Sequence, residues 1–224
     1  MVRELEAFLG STDSDGRVVC AAKCGVYAFY DYDGEPIYVG QTYERLSSRI
    51  RRHLTNQRTD AVAMHVLDPL EVARVEVWPF WELEDASTAA RREKLDKAEY
   101  TVHEMLSQRA QVSKLLNEKA PTPTERIELP QSHARDIIPE DIRGRLGHKD
   151  ERISRRASTI ANLAQVVKER DVSIGLRQTL VTQAQRLELL SSRRLSEVVG
   201  EATPEELAGE TTRAGTEDPP DAEA

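Results

Sequence analysis

Two tyrosines, an arginine, a histidine and a glutamate are the residues of this chain whose types and spacing could do chemistry: Tyr27, Tyr38, Arg49, His53 and Glu99. The first two lie in GVYAFYDYDGEPIYVGQT (25–42), which holds four of the six tyrosines in the whole sequence. The stretch reads as a hairpin, with Asp33 and Gly34 as the central residues of a two-residue loop. In that register Tyr27 faces Gly40, Ala28 faces Val39, Phe29 faces Tyr38 and Tyr30 faces Ile37. Val26, Ala28, Tyr30, Ile37 and Val39 then form an ordinary core face. Tyr27, Phe29 and Tyr38 share the other, beside a gap left by Gly40 where a backbone or a ligand can come close. Cross-strand aromatic packing is the competing account of the same pattern.

The stretch from Tyr43 to about Asn56 has helical period, with Leu46, Ile50 and Leu54 on a buried stripe. Arg49 and His53 lie along one edge of that stripe, and Arg45 and Arg52 lie just beyond. From Tyr43 to Arg58, five arginines oppose the single acid Glu44, a local charge of +4. A guanidinium grips phosphate through two parallel hydrogen bonds and keeps its charge at any working pH; a solvated helix face is the alternative. Glu99 interrupts the stripe Leu95, Val102 and Leu106 of a second, longer helix. A carboxylate there needs a partner, either a hard divalent cation or a nearby arginine.

The elements that must position these groups follow from the remaining pattern. VARVEVWPFW (72–81) reads as a third strand, stopped by Pro79, with Trp78 and Trp81 as core and rim packing rather than base-stacking platforms. Tyr30 and Tyr32 read as packing and surface residues. Ser87 is the expected N-cap of the long helix to about Gln108. The expected organisation is an N-terminal segment (1–16), a domain at 17–120, a Pro-containing linker (121–149), a helical hairpin (150–200) and a disordered acidic tail (201–224). The fold class is α+β: a small three-stranded antiparallel sheet flanked by helices, followed by the hairpin and the tail. The two C-terminal helices serve as an antiparallel hairpin or as a dimerising pair. Ahead of and within the first, Arg143, Arg145, Lys149, Arg152, Arg155 and Arg156 outweigh Asp150 and Glu151, which reads either as an accessory clamp on a nucleic-acid backbone or as a solvated helix start.

The formal net charge of -8 is misleading as a single number. Eight acids against Arg213 give the last 24 residues a charge of -7, so the acidity does not argue against a nucleic-acid partner for the rest. Two cysteines, Cys20 and Cys24, are too few for a disulfide framework or a zinc site. No stretch approaches the roughly 20 apolar residues of a membrane span, and MVRELEAFLG is not a secretory signal. A cytoplasmic protein without a membrane partner is expected.

Taken together, GVY (25–27), YVG (38–40), Arg49, His53 and Glu99 resemble the GIY-YIG endonuclease family in type and order. YVGQTYERLSSRIRRH fits the family spacing YIG-x-T-x-x-x-L-x-x-R-x-x-x-H throughout. Asn117, in LLNEKAP, resembles the family's terminal asparagine. The resemblance covers about residues 24–120. It implies hydrolysis of a DNA phosphodiester by water with one divalent metal, Mg2+ or another such as Mn2+, held by Glu99. Tyr27, helped by His53 and by the field of Arg49, would deprotonate or orient the water. Tyr38 would hydrogen-bond the scissile phosphate, Arg49 would stabilise its charge, and Asn117 would orient the glutamate or a phosphate. Arg45, Arg52 and Arg58 are the candidate DNA contacts. A nuclease-like fold kept as a nucleic-acid-binding module, or a protein whose helical hairpin is the interacting part, are the rival readings.

Overall fold

The computed structural model describes residues 2–55, 66–112 and 114–201. Arg58, among the expected DNA contacts, and the acidic stretch from residue 202 lie outside them.

GVYAFY has no alternation of apolar and polar residues, which marks a strand covered on both faces. It forms β1 (Gly25–Tyr30), buried along its whole length in the middle of a sheet of order β2-β1-β3-β4. β2 (Pro36–Thr42) and β3 (Arg74–Pro79) flank it, both antiparallel. The expectation of three strands requires correction. A fourth, β4 (His133–Asp136), pairs with the outer edge of β3, from Arg74 opposite Asp136 to Val77 opposite His133. HARD carries no apolar alternation because the strand is mostly exposed and is held by its backbone. Its anchor is the next residue, Ile137, which is fully buried and donates its amide to Ala73 O at 2.9 Å.

The β1–β2 loop is also one residue longer than the sequence reading has it. Asp31 N donates to Glu35 O and Gly34 N to Asp31 O, enclosing a three-residue loop with Gly34 at φ +73°. This is the turn-plus-left-handed-glycine form of hairpin. Asp31 Oδ1 stiffens it by accepting from Asp33 N and Glu35 N. The odd loop is offset by an irregularity at Ile37, where Tyr30 pairs with Pro36 instead of Ile37. Beyond it the expected partners return: Phe29 with Tyr38, Ala28 with Val39, Tyr27 with Gly40. Ile37 therefore leaves the face on which the simple register puts it and joins the opposite core.

Each face of the sheet has its own core. Val26, Ala28, Tyr30, Val39 and Trp78 pack against Leu95, Ala98, Val102 and Leu106 of α3 (Thr88–Ser107), whose first turn is capped by Ser87 Oγ accepting from Ala90 N at 3.3 Å. On the other face Tyr27, Phe29, Ile37, Val75 and Val77 meet Leu46, Ile50 and Leu54 of α2 (Leu46–Leu54). Leu5, Phe8 and Leu9 of α1 (Val2–Leu9) belong to this second core, as do Leu163 of α5 (Lys149–Glu169) and Leu176 of α6 (Ile174–Glu201). A short α4 (Glu140–Gly147) precedes α5. The two cysteines are buried free thiols, and burial pushes Cys20 up to about 12.

The antiparallel pair α5/α6 is bolted to the sheet by charge. Arg152, 1% exposed, and the buried Arg156 and Arg186 reach Asp31 Oδ2 at 3.1, 2.9 and 2.8 Å. Arg156 also pairs with Glu71 at 2.9 Å, and Arg152 with Asp33 at 2.8 Å. Of the basic run, Arg152, Arg155 and Arg156 are thus neither a DNA clamp nor a solvated helix start, while Arg143 pairs with Asp136 at 3.1 Å and Arg145 is exposed on α4. The three α5 arginines point inward because the β1–β2 turn brings Asp31 and Asp33 beneath them, and the segment before β3 brings Glu71.

Candidate active site

Alternation along β1 and β2 puts the Tyr27, Phe29 and Tyr38 rings on one face, and the one-turn spacing of Arg49 and His53 aims both at that face from α2. Tyr27 is fully buried. Its hydroxyl lies 2.8 Å from His53 Nε2 and accepts from Arg49 Nε at 3.2 Å. The Tyr27 and Tyr38 rings are 6.1 Å apart, and the His53 ring is 5.5 and 5.2 Å from them. Phe29 stacks on Tyr38 at 5.8 Å and closes the cluster from below. Gly40 is required here: a Cβ at that position would stand 2.5 Å from the Tyr27 hydroxyl. The gap expected at Gly40 is occupied by the Tyr27 phenol itself.

The electrostatics of Tyr27 run against one part of the sequence reading. Arg49 does lower its pKa, but burial outweighs it, and the phenol titrates well above its ordinary value of 10. At neutral pH Tyr27 is a protonated phenol, and it donates to His53 Nε2 in the tautomer that leaves that nitrogen without a proton.

Glu99 approaches from the other side of the sheet, on α3, around the free edge of β2. Burial and the adjacent Asp96 push its carboxyl up to about 7, while Gln41 and the charge of Arg49 pull the other way. The alternative of an arginine partner is not met: among the described residues Glu99 makes no ion pair. Gln41 and Asp96 are site residues that the sequence analysis missed: Gln41 Nε2 donates to Asp96 Oδ1 at 2.7 Å, and Gln41 Oε1 is buried with no partner. Asp96 had a signal, since it precedes Glu99 by three residues and shares its helix face. An amide oxygen without a partner beside two carboxylates, one of them reluctant to ionise, is the donor set of a hard cation. No cluster of three or more His, Cys, Asp or Glu suited to a metal occurs among the described residues.

The remaining expected residues separate. Asn117 brackets the backbone of Val39, its Oδ1 accepting from Val39 N at 3.2 Å and its Nδ2 donating to Val39 O at 2.6 Å. Together with Leu116 N donating to Ile37 O at 2.7 Å, it covers the open edge of the strand that carries Tyr38. Its amide is committed to that strand rather than to Glu99. Arg45 is exposed at the start of α2, and Arg52 is tied to Glu44. Trp78 is core, and Trp81 packs partly buried under Arg17, whose guanidinium carbon is 5.0 Å from the ring centroid. No described helix is long and apolar enough to cross a membrane.

No curated protein and no solved structure matches the chain. Residues 23–102 match the family model described as the GIY-YIG catalytic domain, a nuclease domain. The matched residues contain the phenol pair, Arg49, His53 and Glu99, and the chain is a GIY-YIG domain-containing protein.

Proposed function

We propose that the protein is an endonuclease that hydrolyses DNA phosphodiesters with the help of one divalent metal ion. The observation that carries this reading is the convergence of Tyr27, Tyr38, Arg49 and His53 on one face, with a half-buried carboxyl of raised pKa brought round the edge of β2. A group that only binds nucleic acid needs the arginines. It has no need of a carboxyl held in a site that resists its ionisation.

Glu99, flanked by Asp96 and Gln41 Oε1, would hold the ion. When bound, the metal supplies charge neutralisation at the leaving oxygen. Arg49 keeps two guanidinium nitrogens available beyond its bond to Tyr27, and these take the phosphate oxygens on which charge gathers. Tyr38, half-exposed above Phe29, donates its hydroxyl to the same phosphate. Tyr27 is too strongly held as a phenol to act as a stored phenolate. It instead accepts the proton of the attacking water while passing its own to His53 Nε2, so that no charge is left on the buried oxygen. Asn117 acts one step away, by fixing the strand that carries Tyr38. Arg45 contacts the DNA backbone. Arg52 does so after exchanging Glu44 for phosphate.

Supercoiled plasmid incubated with the protein and Mg2+ tests the reading: nicking by the wild type and none by Glu99→Ala are expected. Equal nicking by both proteins removes the metal assignment. No nicking by either, with binding retained, leaves a DNA-binding module, which the complete burial of Tyr27 would then explain.

A further inference from the structure

A second concave site lies beside the first. Between α3 and α6, above the segment 114–120, there is a groove of about 400 Å³ lined in part by Tyr100, His103, Ser107, Lys114, Asn117 and Gln178. It begins one helical turn beyond Glu99, since His103 follows Glu99 by four residues on the same face of α3. Its floor contains Asn117, the residue that brackets Val39 in the site strand.

The groove is distinguished by polar groups with nothing to bond. Among the described residues, the His103 ring, the Gln178 amide and the Lys114 ammonium make no hydrogen bond or ion pair. Ser107 Oγ is buried and equally without a partner. Gln178 and Lys114 are exposed and open to water, whereas His103 and Ser107 are half-buried, where polar groups are normally satisfied and an exception calls for an explanation. Burial lowers the His103 pKa, so its ring is a neutral, flat surface with one donor and one acceptor. The one acid on the rim, Glu104, is already neutralised by Arg126 at 2.6 and 2.7 Å and by the Tyr100 hydroxyl.

We propose that this groove receives a single unpaired nucleotide of the DNA strand being cut. The proposal rests on the nuclease reading above and names the substrate class for the same site. Two ring systems give the base a stacking surface, the exposed Gln178 amide matches the edge of a nucleobase, and Lys114 offers one cation to a phosphate. The volume suits one nucleotide and not a duplex, whose major groove alone is about 12 Å wide.

The test uses the full chain in EDTA, so that no strand is cut, with a short duplex and the same duplex carrying one unpaired 2-aminopurine. The bulged DNA is expected to bind roughly tenfold more tightly, with a change in 2-aminopurine emission as the base leaves solvent. Gln178→Glu, at an exposed helix position where folding is checked by an unchanged melting curve, should bring the two affinities close to parity. Equal binding of both DNAs by the wild type overturns the proposal, and so does a preference that survives Gln178→Glu. Photocrosslinking from 5-iodouracil at the unpaired position adds an independent readout: adducts on Tyr100 or His103 support the groove, and adducts confined to other residues refute it. The nuclease reading fails on a different result, absence of plasmid nicking with Mg2+, which does not enter these binding measurements.

Discussion

The two ends of β1 carry the two polar clusters of the molecule, and they are built on opposite terms. At the loop end, Asp31 receives three arginines within 3.1 Å and Glu71 takes Arg156 at 2.9 Å, so buried charges meet charges of the other sign at contact distance. At the other end burial and then the like charge of Asp96 push the Glu99 carboxyl up, Tyr27 is buried with its proton held fast, and Gln41 Oε1 has no partner. Arg152 Nε and Nη2 make no well-aligned hydrogen bond at the loop end, but they lie 3.6 Å from Glu71 and 3.1 Å from Asp31, so the charges there are matched within the protein and the geometry is fixed. A cluster left short of cations and donors is stable only because the fold imposes it, and it gains when something arrives. The contrast teaches which arginines to assign to structure and which to substrate, although the sequence shows both groups as basic runs.

The largest effect that would sharpen this contrast is at the satisfied end. Asp31→Ala leaves Arg152, Arg156 and Arg186 buried around a missing carboxylate, and stability should fall by roughly 3–5 kcal/mol. Chemical denaturation measures it. A loss under about 1 kcal/mol would mean that water reaches these arginines and that the knot is not a structural bolt. At the underpaired end the signature should be reversed. Tyr27→Phe removes the proton path to His53 and should slow nicking by roughly 10²–10⁴-fold, as loss of a general base does. Its melting temperature should move by only a few degrees, since net hydrogen-bond contributions are about 1 kcal/mol each. Unchanged nicking would place the water elsewhere.

The smallest effect concerns Glu99 alone and has a definite sign. Its folded pKa of about 7 lies above the ordinary 4.5, so the native state holds the proton more tightly than the unfolded chain. The stability it lends is present below pH 4.5 and is lost as pH rises through 7. Glu99→Gln, which cannot ionise, should match the wild type near pH 4 and exceed it by on the order of 2 kcal/mol at pH 8. Mg2+ should close the gap by stabilising only the wild type. A stability difference independent of pH would contradict the strained-carboxyl account and with it the comparison between the two ends.

Much of the site was legible before any coordinates because it rests on local periodicity. Alternation in a strand placed Tyr27 with Tyr38, and the four-residue spacing on α2 placed Arg49 with His53. The loop was misjudged because Asp33-Gly34 is a turn signal in both two- and three-residue hairpins. The choice between them was made by the Asp31 carboxylate and an irregularity at Ile37, neither of which has a pattern. β4 was missed for a related reason: an exposed edge strand is held by backbone pairing, which leaves no trace in side-chain type.

By itself, the sequence determined which residues share a face, through periods of 2 and 3.6 that depend only on the backbone. It thereby set the phenol cluster, the stripe of α2 and the one polar interruption of α3. Tertiary structure decided what each charge meets. Whether an arginine meets a phenol, as Arg49 does, or ends in a buried knot of carboxylates, as Arg152 does, depends on residues brought together by the fold, Asp31 lying more than a hundred residues from Arg152 in the chain. Coulomb and desolvation energies act across space, with no regard for sequence separation.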